Sequence, residues 1–149
     1  RTNGILHGVE EHPNWTIVDR GCANFTQGEG QTYMENLLSK GTVKDIDVII
    51  SENDNMIFGA MKALDRNGKS YGPEGDIIMI SFDALHESFE NMMAGKLHAT
   101  VECNPLRAST VETVIEELEA GREVDKIYNT EENIYTYENA ADYIDQRKY

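Results

Sequence analysis

The chain is 149 residues long and carries 27 acidic against 13 basic side chains, a formal net charge of −14. A surface that acidic repels phosphate backbones and offers no run of Lys or Arg for counterion release, which argues against nucleic acid as a partner. An apolar content of 40% with 27% charged residues suits one globular domain, and no apolar run is long enough to span a bilayer.

The first residue is Arg1, not Met, so the chain reads as a processed or truncated polypeptide from which any targeting segment would have been cut away. Thr16-Ile17-Val18 is short and β-branched and predicts a strand. Met34, Leu37 and Leu38 then repeat at i, i+3, i+4, an amphipathic helix that Gly41 stops. Asp47 to Ser51 predicts a buried strand. Asp54 is placed to cap the next helix, whose core stripe is Ile57, Ala60, Met61 and Leu64 and which Asn67-Gly68 ends.

Ile77 to Ser81 predicts a third strand and Leu85 to Ala94 a helix stopped by Gly95. A shorter strand follows from His98 to Glu102. Pro105 opens a helix bearing Val111, Val114, Ile115 and Leu118, with Gly121 as its end. Beyond it, Tyr128 and the Ile134–Tyr137 run suggest short strands, and Asn139 can cap a last helix. Strands alternating with helices make βαβ units, hence an α/β fold with a parallel sheet, helices on both faces and right-handed crossovers.

Three strands end on polar clusters: Glu52-Asn53-Asp54, Phe82-Asp83 and Glu102-Cys103-Asn104. In an open parallel sheet these carboxyl ends share one edge, outside which ligands bind. Each cluster has a plainer reading as a helix cap, favoured for Asp54 and balanced against ligand binding for Asp83. A lone aromatic such as Phe25 is more often core than ligand platform.

Other motifs fail on spacing. Gly28-Glu29-Gly30 lacks the third small residue of a dinucleotide fingerprint, because Tyr33 stands there. Asp65-Arg66-Asn67-Gly68 has neither the glycine position nor the closing Glu of a calcium loop. Cys22 and Cys103 form no zinc pattern, and the four scattered histidines include no zincin pair. Asn14-Trp15-Thr16 and Asn24-Phe25-Thr26 are glycosylation sequons, read as unmodified. No nucleophile has an ordered base beside it, and Glu102 would raise the pKa of the Cys103 thiol. The chain therefore reads as a non-enzyme without metal or cofactor.

Taken in order, several segments resemble one family. Asn53-Asp54-Asn55-Met56 with Gly59-Ala60 and Ala63-Leu64, then Ser81-Phe82-Asp83-Ala84, then Ala94-Gly95-Lys96-Leu97 with Ala99-Thr100-Val101, look like motifs of sugar-binding periplasmic proteins that feed ABC transporters. These are of the ribose- and galactose-binding type. Asn24-Phe25-Thr26 with Glu29-Gly30 and Val101-Glu102 are most similar to the galactofuranose-binding branch.

The resemblance implies a three-layer lobe of the type I periplasmic-binding-protein fold, truncated. Residues 1–103 would be the second sugar-binding lobe without its first strand. Residues 104–149 would be a hinge crossing, helix and tail facing a missing first lobe. It further implies sugar contacts from Arg1, Phe25, Asn53 and Asp83, with Cys103 in the place of an amide and Glu102 as its substitute. The expected partners are a monosaccharide and a transporter permease, and the expected location is the periplasm or a cell-surface lipoprotein. The fragment would bind sugar weakly or not at all, and its open edge would favour self-association. The alternative from another class is the effector domain of a sugar-responsive transcription repressor.

Overall fold

The computed structural model describes residues 1–149. Its centre is a four-stranded sheet: β1 (Val48–Ile50), β2 (Ile78–Asp83), β3 (Ala99–Glu102) and β4 (Ile134–Thr136), in that spatial order. The first three strands are parallel and β4 is antiparallel to β3. Asp83 pairs in register with Glu102, so two of the three polar tips lie side by side.

Three helices cover one face: α2 (Gln27–Lys40), α3 (Asp54–Arg66) and α4 (His86–Met93). Met79 on β2 and Ile57, Leu64 and Phe89 on the helices are wholly buried beneath them. The crossing of α2 over α3 is close because Gly30 and Gly59 lie at it. A methyl on Gly59 would overlap the Gln27 carbonyl oxygen. Gly41 ends α2 in the left-handed conformation (φ 74°), as its lack of a Cβ allows.

The opposite face is thinly covered. α1 (Thr2–Glu10) begins there, with the Arg1 guanidinium over the Phe82 ring. Ile5, Leu6 and Val9 of α1 are only half-buried, while Val48, Ile50, Ile78 and Ile134 stay exposed. α5 (Ala108–Glu119) buries no residue at all. No helix is long and apolar enough to cross a membrane.

Several expected boundaries move. Thr16–Val18 forms no strand, and Ile17 and Val18 are exposed. β-propensity alone does not make a strand where no neighbour takes up its backbone groups. α5 starts at Ala108 instead of Pro105, and Tyr128 lies outside any strand. The cap of α3 is Asn53, not Asp54: the Asn53 carboxamide oxygen accepts from the Met56 N–H at 3.0 Å. Residues 104–149 also divide. β4, α6 (Ala140–Tyr143) and the tail rejoin the sheet, with Tyr135 and Ala140 buried, whereas α5 stays outside it.

Candidate functional site

The carboxyl ends of β1, β2 and β3 meet at one edge, joined by Arg1 from the start of α1. The Arg1 guanidinium donates from Nη2 to Asp83 Oδ1 at 2.5 Å and from Nη1 to the Glu52 carbonyl. Burial lowers the Arg1 pKa, but the Asp83 hydrogen bond and charge outweigh it and hold the value above the ordinary one. The pair keeps about a quarter of its side-chain surface in water, 27% for Arg1 and 25% for Asp83. Both groups are therefore fixed by each other and still accessible. The Cys103 N–H donates to the Asp83 carbonyl at 3.3 Å, which ties the third tip to the second.

A second cluster adjoins the first tip. Thr26 caps α2 by accepting from the Glu29 N–H at 3.3 Å, the near half of a capping box. Just before it, Asn24 and Phe25 take left-handed backbone angles, φ 47° and 58°. For a bulky aromatic that conformation costs about 1–2 kcal/mol and needs support from its surroundings. The Asn53 side chain donates to the Phe25 carbonyl at 3.1 Å, and Asn24 donates to Glu29 at 2.7 Å. The result is that Phe25 is 59% exposed on a loop held from below. Asp83 and Ala84 also have positive φ, 115° and 60°. Strained non-glycine backbone thus gathers at the loop before α2 and at the β2 tip.

Two buried carboxylates lie under this edge, and their environments differ. Asp54 is fully buried and accepts from Ser81 Oγ, from Thr100 Oγ1 at 3.0 Å and from the Leu85 N–H at 2.8 Å. It has no counter-charge, so burial pushes its carboxyl up in spite of these bonds. Glu102 is 6% exposed. Its Oε1 accepts from Arg147 at 2.9 Å and from the Tyr149 hydroxyl at 2.7 Å, and its Oε2 from the Asn133 N–H at 3.1 Å. Burial would raise the Glu102 carboxyl, but the Tyr149 and Arg147 bonds and the Arg147 charge bring it below the ordinary glutamate value.

The structure thus brings Arg1, Asp83 and Cys103 into one contact chain and links Asn53 to Phe25 beside it. Asn53 is only 5% exposed, and both ends of its carboxamide are already bonded to the protein. Glu102 turns its carboxylate inward to the tail. Sequence reasoning missed this tail cluster, although the Arg147-Lys148-Tyr149 ending was visible. Glu52 stands in the first strand-tip cluster read from the sequence, but not as the carbonyl that receives Arg1. Neither residue carries a local pattern that would have revealed the contact. No cluster of His, Cys, Asp or Glu suits a metal ion.

The sequence profile described as "periplasmic binding protein domain" matches residues 1–130. The galactofuranose-binding protein YtfQ of Escherichia coli (strain K12) is 26% identical over 150 residues, covering 99% of this chain and 46% of that protein. The ribose import binding protein RbsB of Bacillus subtilis (strain 168) is 35% identical over 89 residues, 60% of this chain and 27% of that one. Among solved structures, a similar one is the periplasmic binding protein component of the arabinose ABC transporter from Shewanella sp. ANA-3, bound to α- and β-L-arabinofuranose. It has a TM-score of 0.91 and 28% identity, covering 99% of this chain and 48% of that one. The chain spans about half the length of YtfQ and of the Shewanella protein.

Proposed function

The chain belongs to the periplasmic binding protein domain family, and we propose that it forms one wall of a cleft in which the solute-binding component of an ABC importer holds a monosaccharide. The observation that carries this reading is the rim: an accessible Arg1–Asp83 pair beside an exposed phenyl ring on a braced, strained loop. A sugar presents hydroxyls that both donate and accept around a ring with apolar C–H faces. The carboxylate accepts from the hydroxyls and the guanidinium donates to them, at about 1.5–3 kcal/mol for each charge-assisted bond. Phe25 covers a C–H face.

Asn53 acts here as both cap and brace, holding Phe25 in the ligand's path. At the third tip the Cys103 thiol is a weak partner, and Glu102 contributes by holding the strand end that presents it. The relatives bear names of a galactofuranose-binding protein, a ribose import binding protein and the periplasmic binding component of an ABC transporter, which supports transport over gene regulation. Binding in a cleft between two lobes, delivery to a permease and a location outside the cytoplasm all follow from that role. None of them asks the rim to make or break a covalent bond.

In the intact two-lobed protein, Asp83→Ala weakens monosaccharide binding at least tenfold by calorimetric titration, about 1.4 kcal/mol or more. An unchanged dissociation constant would remove Asp83 from the site.

A further inference from the structure

We infer that Arg147 is a positioning residue for the rim, acting through Glu102 on the carboxyl end of β3; the inference rests on the sugar-binding reading of that rim. Arg147 is far in sequence from the cleft, and its side chain is only 7% exposed. Its Nη1 donates to Glu102 at 2.9 Å and to the Tyr135 hydroxyl at 3.1 Å. The guanidinium carbon lies 4.5 Å from the Tyr149 ring centre, 5.1 Å from Tyr135 and 5.2 Å from Phe89. Its Nε and Nη2 have no hydrogen-bond acceptor, so its charge is held by one carboxylate and three aromatic rings.

That arrangement is poorly suited to stability alone. A buried ion pair recovers little of its desolvation cost, and an apolar pair of the same volume would pack as well. What it supplies is a single geometry. Glu102 offers two oxygens, and donors from Asn133, Tyr135, Arg147 and Tyr149 converge on them. The tail also reaches the second tip, where the Tyr149 carbonyl accepts from the His86 N–H at 2.7 Å and holds the start of α4. Cys103 in turn donates to the Asp83 carbonyl. A continuous path runs from Arg147 through Glu102 and Cys103 to Asp83 and Arg1. If the tail loosens, the two tips can shift relative to each other, while the core between α2 and α3 is untouched.

Amide hydrogen exchange of the 149-residue chain tests this. Arg147→Met should speed exchange at the Cys103 and His86 amides at least tenfold, with Ile57 to Leu64 in α3 unchanged. Arg147→Lys should return part of the protection. If Arg147→Met does not fold, the charge-free pair Glu102→Gln with Arg147→Met gives the same comparison. Unchanged exchange at the rim, or equal acceleration in α3, would overturn the inference, since the second is what a purely structural role produces. A wild-type intact protein that binds no D-ribose, D-galactose or L-arabinose would overturn the ligand reading instead and leave the exchange pattern as it is.

Discussion

The helices α3 and α5 differ by one residue in length and carry the same kind of apolar stripe, yet α3 buries eight residues and α5 none. Ile57, Ala60, Met61 and Leu64 of α3 lie between α2 and the sheet. Val111, Ile115 and Leu118 of α5 are exposed at 55%, 50% and 56%. The chain on either side of α5 is nevertheless anchored. Arg107 pairs with Glu132 at 3.1 Å, and Asn133 and the tail are bound to Glu102. An amphipathic stripe therefore supports a helix locally, and only a packed partner turns it into stability.

Equivalent truncations should separate the two helices most widely. Leu64→Ala should cost about 2–5 kcal/mol by urea denaturation, through lost burial and the cavity left behind. Ile115→Ala should stay within about 0.5 kcal/mol, since the side chain is already half in water. Similar costs would mean that α5 has a packed partner in solution.

Acid should act next, through the anchor beyond α5. The Glu102 carboxyl is lower in the folded chain than its ordinary value, so the stability it gives is complete above the ordinary glutamate range. It is lost as pH falls through that range to the folded value. Asp54, raised by burial, has the opposite sign and favours the folded state as it becomes protonated. The difference between wild type and Glu102→Gln isolates the first effect. That difference should shrink as pH falls from 6 towards 3, and a constant gap would mean that the Arg147 contact does not form.

A small effect belongs to the loop that α3 braces. Phe25→Gly should stabilise the chain slightly, by about 0.5–1 kcal/mol, because glycine adopts a positive φ without strain. It should at the same time weaken sugar binding. A loss of stability would show that the exposed ring is packed in solution.

Much of this contrast was legible in the sequence. The stripes of α2, α3 and α5 and the stops at Gly41, Gly95 and Gly121 follow from local patterns, and the structure keeps them. What stayed hidden depended on distant partners. Thr16–Val18 has the composition of a strand but no neighbouring strand to pair with. Nothing local distinguishes Asn53 from Asp54 as the cap until Ser81, Thr100 and Leu85 claim the aspartate. At the rim, Asp83 with Arg1 came from motif order. Glu102 looked accessible because its five donors all come from residues 133–149, more than thirty positions downstream.

The central claim is that these tips form half of a sugar cleft, and it is tested most directly by titrating the 149-residue chain with L-arabinose while following backbone amide shifts. A whole cleft at micromolar affinity corresponds to about −8 kcal/mol, and because the cost of association is not halved with the contacts, the chain alone binds no more tightly than about −4 kcal/mol, a millimolar site. The account predicts shifts that build up only at millimolar sugar or above, confined to the amides around Phe25, Asn53, Asp83 and Cys103. Shifts centred on α5, or none at the rim at 100 mM L-arabinose, D-galactose or D-ribose, would contradict it.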